Sequence, residues 1–205
     1  LHAHLQKRTA EYFATRFGCA EQAQENEEVD LAHAGSAVYT DGSCRPELGV
    51  MGASAVFLLP PNDEGRRMVK TIHSRVPLDC PTGGASVGRL LTNPRGCTST
   101  QAELAAIEMA VEEGFRLGYI QEGATLATDS MAAVRALAPA TQRIPVLKHI
   151  RTEHRDAIEA IRTHRAFGTI STVHVKGHNN DRYNERADRW ASWGAFLPNA
   201  QPPPR

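Results

Sequence analysis

Four carboxylates stand at points of the chain where the residue pattern changes from strand to helix or back: Asp41, Glu103, Asp129 and Asp188. Carboxylates brought together without Lys or Arg raise one another's pKa, so their clustering is unfavourable unless cations neutralise it. Hard oxygen ligands suit Mg²⁺, which keeps some water and binds substrate phosphate. Two such ions, about 3.5–4 Å apart, can activate a water and stabilise the departing 3′ oxygen of a phosphodiester. The residue types therefore indicate metal-dependent phosphodiester hydrolysis.

Each carboxylate also has a purely structural interpretation. These are a turn at Asp41, a capping box ending at Glu103, a helix cap at Asp129 and a surface ion pair at Asp188. Taken singly, none of the four indicates function. The metal hypothesis depends on a fold that brings them together.

The apolar periodicity predicts the elements that would do so. We expect three strands joined by short turns, then a helix, a strand, two helices, a strand and a last helix. These elements are predicted at 37–40, 49–59, 68–76, 100–114, 124–128, 130–137, from 145 onward, 169–175 and from 184 to 193. Residues 77–97, rich in Pro, Gly, Thr and Ser, are predicted to be a long loop. Strands that alternate with helices predict an α/β fold, with a five-stranded mixed sheet and helices on both faces.

Length and composition agree with one globular domain. The chain has 205 residues, of which 41% are apolar and 22% charged, so a buried core is expected. We assign 1–34 to an N-terminal helical appendage or linker, 35–196 to the domain and 197–205 to a disordered tail. The uncharged stretch 48–62 is too short and too interrupted to span a bilayer, so no membrane partner is expected. The four cysteines show neither C-x-x-C spacing nor a nearby His partner, and no leader pattern opens the sequence. We therefore expect an intracellular protein, in the cytoplasm or nucleus.

The zero net charge hides an uneven distribution. Residues 21–41 carry six acidic groups and no Lys or Arg, whereas residues 141–205 carry 11 basic groups against 6 acidic ones. Such opposed halves are compatible with a basic footprint for nucleic acid, and equally with ordinary solvated faces.

Four segments together resemble type I ribonuclease H. They are Val38-Tyr-Thr-Asp-Gly-Ser43, Thr98–Ile107, Ala127-Thr-Asp-Ser130, and Val173-His-Val-Lys-Gly-His178 with Asn184-Glu-Arg-Ala-Asp188. The resemblance covers about 36–196. Within the family, the Gln101-Ala-Glu103 segment and the short 138–144 connection look closest to the ribonuclease H domains of retroelement reverse transcriptases.

The resemblance implies the ribonuclease H-like fold, with three antiparallel strands followed by two parallel ones. It also implies cleavage of the RNA strand of an RNA–DNA hybrid, leaving 3′-hydroxyl and 5′-phosphate ends. Two Mg²⁺ ions would be used, with Mn²⁺ as a possible substitute. Asp41 would bridge both ions, Asp188 would hold the water-activating ion, and Glu103 and Asp129 the ion at the leaving group. His178 would assist proton movement or product departure.

Substrate contacts are implied in the same way. The residues that would line the hybrid are Gly42, Ser43, Cys44, Thr98, Ser99, Gln101, Ser130, Lys176 and Asn184. The implied partners are the RNA–DNA hybrid and a covalently linked reverse transcriptase domain, and the isolated domain is expected to be a monomer. His154, on the apolar stripe of a helix, is interpreted as a packed residue and not as a ligand.

Two other functions stay open at this stage. Integrases, transposases and junction nucleases also place acidic residues on a related sheet, and they cut DNA. A catalytically silent domain of this fold would act as a spacer or binding surface. A small-molecule enzyme is disfavoured, because the chain has neither a glycine-rich phosphate loop nor a nucleophile elbow nor zinc-ligand spacing.

Overall fold

The computed structural model describes residues 23–28, 36–76, 98–138, 154–164, 168, 170–177 and 181–196. The strands in these ranges are β1 Ala23–Glu28, β2 Ala37–Arg45, β3 Val50–Leu58, β4 Arg66–Val76, β5 Thr125–Thr128 and β6 Ser171–His174. The helices are α1 Ser99–Arg116, α2 Met131–Leu137, α3 Arg155–Thr163 and α4 Arg182–Phe196. No helix in these ranges is long and apolar enough to cross a membrane.

One mixed sheet, in the order β1-β4-β3-β2-β5-β6, forms the centre of the fold. Strands β2, β3 and β4 pair antiparallel, while β5 lies parallel to β2 and β6 parallel to β5. One buried apolar cluster joins the sheet to α1, α2 and α3, and a second joins it to α4. The predicted α/β fold is therefore confirmed, with its three antiparallel and two parallel strands and its helices on both faces.

Strand β1 corrects the assignment of 23–28 to a linker or solvated helix. It pairs antiparallel with β4 at the edge of the sheet, and the register sets Glu27 opposite Arg67 and Glu28 opposite Arg66. An edge strand gains its stability from the ladder of backbone hydrogen bonds, which needs no apolar alternation. The predicted loop 77–97, the connection 139–144, the tail 197–205 and residues 1–22 lie outside the described residues.

The strand predicted at 37–40 is longer than expected, and the alternative interpretation of Asp41 as a turn residue is wrong. Strand β2 continues through both residues to Arg45, in register with β3 throughout. The turn follows at 46–49, where the Leu48 nitrogen donates to the Arg45 carbonyl at 3.1 Å. The ladder with β3 outweighs the local turn preference of the Asp-Gly pair, so Asp41 projects from the middle of a strand.

The start and end of helix α1 also differ from the prediction. Its N-cap is Thr98, whose hydroxyl accepts from the Gln101 nitrogen at 3.1 Å, so the capping position is two residues earlier than Thr100. Glu103 is thereby free of any capping role. The helix also passes through Gly114, where an added Cβ would lie 2.5 Å from the Phe57 ring, so this glycine serves packing and does not stop the helix.

Helix α4 lies unusually close to strand β3. A Cβ built on Gly52 would overlap the Ala191 carbonyl oxygen and the Ala195 nitrogen. Next to this contact, the Ser54 hydroxyl donates to the Ala187 carbonyl at 2.6 Å. These two contacts fix the height of α4 above the sheet, and with it the position of Asp188.

Replacement of Gly52 by alanine should therefore destabilise the protein by about 2 kcal/mol or more, since the backbone of α4 must move to make room. Gly168→Ala is the matched control, because a Cβ there meets no atom within 4 Å. Chemical denaturation of both variants measures the difference. Equal free energies of unfolding for the two variants would contradict the close packing.

Candidate active site

Two of the four carboxylates meet because β2 and β5 are parallel neighbours. Their ladder ends at the pair Thr40 and Thr128. An aspartate follows each of these threonines in the sequence. Asp41 and Asp129 therefore follow the same rung at the carboxyl end of β5, where functional residues of such sheets collect.

Glu103 joins them because α1 lies directly against β2. A Cβ at Gly42 would overlap the Ala102 carbonyl carbon and the Glu103 nitrogen, so only glycine allows this approach. The Thr128 hydroxyl donates to the Glu103 carboxylate at 3.5 Å. Glu103 is thus directed to the side of α1 that faces the end of β5.

The three carboxylates form one cluster, in which a ligand oxygen from each lies within 4.8 Å of the others. Asp41 is 6% exposed and Glu103 is 8% exposed, while Asp129 is half-buried. The cluster is therefore open on the Asp129 side and closed behind Asp41 and Glu103.

Burial makes the charge of this cluster unfavourable. Desolvation, followed by the negative charges of Asp129 and Asp188, raises the pKa of Asp41 to about 7. Burial and the charges of Asp41 and Asp129 raise the pKa of Glu103 well above its usual value. The Gly42 backbone N–H, which is hydrogen-bonded to both carboxylates, only partly offsets these effects.

Asp188 lies on α4, which packs on the face of the sheet opposite to α1. It is half-buried, and its charge acts on Asp41. It lies outside the group of three whose oxygens come within 4.8 Å of one another.

The cluster fits a hard divalent cation. Its donors are all carboxylate oxygens, and no Lys or Arg of the described residues is among the groups that shift the pKa of Asp41 or Glu103. A cation would relieve both the desolvation and the mutual repulsion of these groups. Asp41, Glu103 and Asp129 are the residues that would hold it, with Asp188 nearby.

Gly177 is a part of the site that the sequence analysis did not single out. A Cβ at this position would lie 2.7 Å from the Asp129 carboxylate, so the backbone after β6 packs directly against that side chain. The His174 ring adds a second contact from β6, 3.2 Å from the Asp129 carbonyl oxygen. The glycine of the Lys-Gly-His segment was the available signal.

The predicted substrate residues on β2 and α1 lie in different environments. Ser43 is half-buried with its hydroxyl 3.4 Å from that of Ser192, and Cys44 packs against the core on the α1 side. Thr98 caps α1, Ser99 is exposed, and Gln101 is buried. These lie next to the cluster in sequence, and their contact with substrate stays a prediction.

The remaining predicted residues come from other elements. Ser130 caps α2, with its hydroxyl accepting from the Ala133 nitrogen at 3.2 Å, so the cap at this point is Ser130 and the Asp129 carboxylate belongs to the cluster. Lys176 is exposed, and Asn184 is buried in α4. His178 lies outside the described residues. His154 is buried at the start of α3, as predicted for a packed residue.

Replacement of Asp41 by asparagine should stabilise the metal-free protein at high pH. The folded-state pKa of Asp41 is raised from 3.8 to about 7, so the folded state binds more protons between these values and stability falls as pH rises. We expect no gain below pH about 4 and a gain on the order of 2 kcal/mol above pH about 8. Urea denaturation in the presence of a metal chelator measures this gain in the free energy of unfolding.

Asp63→Asn, at an exposed site in the β3–β4 turn, is the control for loss of one carboxylate. A pH-independent effect of Asp41→Asn, or one no larger than that of the control, would contradict the buried-charge account.

Three solved structures illustrate what the chain is similar to. The protease–reverse transcriptase of Prototype Foamy Virus has a TM-score of 0.49 and 18% identity over 85% of this chain and 23% of its own. LC11-RNase H1, isolated from compost by a metagenomic approach, has a TM-score of 0.48 and 19% identity over 79% of this chain and 96% of its own. Its complex with an RNA/DNA hybrid has a TM-score of 0.46 and 18% identity over 78% and 96%.

A search of curated proteins finds no significant match. The chain spans about a quarter of the foamy virus protein, and nearly all of LC11-RNase H1. The sequence pattern of the family described as RNase H matches residues 33–196, which is most of the chain and includes all four carboxylates. The chain therefore belongs to the RNase H family.

Proposed function

We propose that this chain cleaves the RNA strand of RNA–DNA hybrids endonucleolytically, leaving 3′-hydroxyl and 5′-phosphate ends, with two divalent cations held by its carboxylates. Mg²⁺ is the proposed ion, with Mn²⁺ as a substitute. One observation carries the proposal: Asp41, Glu103 and Asp129 come from three separate elements and converge within 4.8 Å. Burial and mutual repulsion make this arrangement unfavourable. In a chain of this family, a cation that acts in the reaction would explain it.

The position of each carboxylate would decide which of the two ions it binds. Asp41 belongs to the cluster with Glu103 and Asp129, and the charge of Asp188 also acts on it. It is therefore the residue proposed to bind both ions, with Asp188 on one side and Glu103 and Asp129 on the other. When bound, the two ions would activate a water and stabilise the leaving 3′ oxygen.

The chain itself prepares the site for this chemistry. The Gly42 N–H and the Thr128 hydroxyl orient the buried carboxylates, so little rearrangement is needed when a cation binds. The burial of Asp41 and Glu103 keeps water away from one side of the cluster. Substrate phosphate would approach from the half-buried Asp129 side.

Recognition of a hybrid requires contact with the RNA 2′-hydroxyl, because only RNA offers it. Strand β2 at Gly42 to Cys44 and the start of α1 at Ser99 to Gln101 are proposed to line the minor groove, with exposed Lys176 near the phosphates. His178 is proposed to assist proton movement or product departure. We also propose that the domain works beside a reverse transcriptase, on the resemblance of the Gln101–Glu103 segment.

Cleavage of an end-labelled hybrid in Mg²⁺, beside DNA duplex, RNA duplex and single-stranded RNA, tests this function. We expect cuts confined to the RNA of the hybrid. Asp129→Asn should lower the rate on the order of 100-fold or more, since metal ligation supplies several kcal/mol to the transition state. The exposed Asp63→Asn variant should cleave as the unmodified chain does.

Cuts in DNA with hybrids left intact would instead assign the protein to the integrase or junction-nuclease type. A folded sample that cleaves nothing in Mg²⁺ or Mn²⁺ would contradict the enzymatic proposal and favour a silent domain.

A further inference from the structure

Two serine hydroxyls meet beside the candidate active site, where strand β2 faces helix α4. The Ser43 and Ser192 hydroxyl oxygens are 3.4 Å apart, and both residues are half-buried. Ser43 is a predicted substrate contact, whereas the sequence analysis did not single out Ser192. Their contact joins the strand that carries Asp41 to the helix that carries Asp188.

The contacts of α4 with β3 place Asp41 and Asp188 at the same level of the sheet. Ser54 is the partner of Asp41 in the ladder between β2 and β3. Its hydroxyl donates to the Ala187 carbonyl at 2.6 Å, and Asp188 is the next residue of the helix. Asp188 is accordingly among the charges that act on Asp41.

The same kind of contact places the two serines at one level, two residues further along the strand. Gly52 is the partner of Ser43 in the ladder between β2 and β3. A Cβ built on Gly52 would overlap the Ala191 carbonyl oxygen, and Ser192 follows directly after Ala191. The backbone contact at Gly52 therefore brings the two hydroxyls together.

The aspartate pair and the serine pair follow one another along a single strand–helix interface. Two residues of strand span about 7 Å, and four residues of helix, slightly more than one turn, span about 6 Å. Side chains at these spacings return to the same face of a strand and of a helix. Ser43 and Ser192 therefore occupy the step next to Asp41 and Asp188.

The serine pair has hydrogen-bonding capacity left for a ligand. Each hydroxyl can donate one bond and accept two, and their mutual contact uses only one donor and one acceptor. The 3.4 Å separation is also long for a bond between hydroxyls, which is usually about 2.7–2.8 Å. Within the described ranges, neither side chain makes another hydrogen bond. A small polar ligand can therefore bind to both oxygens.

Water carried by a cation suits this pair better than a phosphate does. Two carboxylates repel a phosphate, and neutral hydroxyls supply no positive charge to offset the repulsion. Mg²⁺ keeps several waters at about 2.1 Å, and each such water donates to acceptors about 2.7–2.8 Å further away. A bound water therefore reaches an acceptor about 5 Å from the ion, which covers most of the step of about 7 Å between the two pairs.

We propose that Ser43 and Ser192 are positioning residues, whose hydroxyls bind a water of the cation that Asp41 and Asp188 hold. Through this water the serines keep the ion at the level of the two aspartates. The inference rests on the proposed function, because it takes Asp41 and Asp188 to hold a cation. It leaves the backbone of β2 available to the minor groove of the hybrid.

Ser192→Ala tests this role, since alanine removes the hydroxyl and is a good helix former. We expect the calorimetric Kd for Mg²⁺ to rise about threefold to tenfold, the effect of one lost water-mediated hydrogen bond. The urea midpoint of the metal-free variant should stay close to that of the unmodified chain. A merely structural serine would shift the midpoint and leave the Kd unchanged.

Ser36→Ala is the matched control. Ser36 is half-buried like the pair, but it lies five residues before Asp41. Its carbonyl, which accepts from the Thr125 nitrogen at 3.1 Å, is retained in alanine. This variant should leave the Mg²⁺ Kd as it is.

Ser43→Ala approaches the same water from the strand and should weaken Mg²⁺ binding to a similar extent. The double variant with Ser192→Ala should bind Mg²⁺ no more weakly than the weaker single variant, because both changes remove one water site. Fully additive losses would show that the two hydroxyls act separately, and would overturn the shared site.

A crystal structure of the chain with Mn²⁺, located by its anomalous scattering, gives a direct view of the water. We expect a water that is bound to the ion and lies within hydrogen-bond distance of Ser43 or Ser192. Direct ligation of the ion by a serine, or an ion whose waters all lie away from both serines, would overturn the proposal.

The outcomes separate this inference from the function on which it rests. If the unmodified chain binds Mg²⁺ and cleaves hybrid, but Ser192→Ala behaves as Ser36→Ala does, the inference is overturned and the function stands. If Ser192→Ala raises the KM for hybrid and leaves the Mg²⁺ Kd unchanged, the pair contacts substrate and the inference is again overturned. If the unmodified chain neither binds Mg²⁺ nor cleaves, the proposed function fails and the inference fails with it.

Discussion

The repulsion among buried carboxylates is the constraint on which the rest of this structure depends. Asp41 and Glu103 are removed from water and face Asp129, and no basic side chain of the described residues compensates them. Left to themselves, such groups would move apart or into solvent. The fold must therefore hold them by contacts that do not yield, and a ligand must supply the missing positive charge.

Backbone contacts at glycine supply that rigidity from three directions. Gly42 lets α1 lie on β2 and directs Glu103 inward, Gly52 lets α4 lie on β3, and Gly177 brings the segment after β6 against Asp129. A backbone that touches another backbone cannot relax by a change of rotamer. The stability of the domain is thus used to maintain an arrangement that is unfavourable without a cation, as expected where binding sites are prepared in advance.

The sequence predicted the elements whose apolar period is strong, and it missed those that depend on partners distant in the chain. The apolar run of β3, the alternation in β4 and the apolar face of α1 predicted a core, and the resemblance implied three antiparallel strands followed by two parallel ones. Strand β1 has no such alternation, because an edge strand needs only a ladder. For the site, residue types and motif order predicted that Asp41, Glu103 and Asp129 come together, while the part of Asp188 stays a prediction. The continuation of β2 through Asp41 could not be predicted, since it is decided by tertiary pairing with β3.

The raised pKa values of Asp41 and Glu103 predict that a cation displaces protons from the cluster when it binds. Calorimetric titration with Mg²⁺ at pH 7, in two buffers of different ionisation enthalpy, tests this most directly, because the difference in heat counts the protons released. We expect proton release on Mg²⁺ binding, reduced in Asp41→Asn, since the pKa of Asp41 is raised to about 7 and that of Glu103 is raised as well. Binding without proton release between pH 6 and pH 8 would show that both carboxylates are ionised in the free protein, and would contradict it.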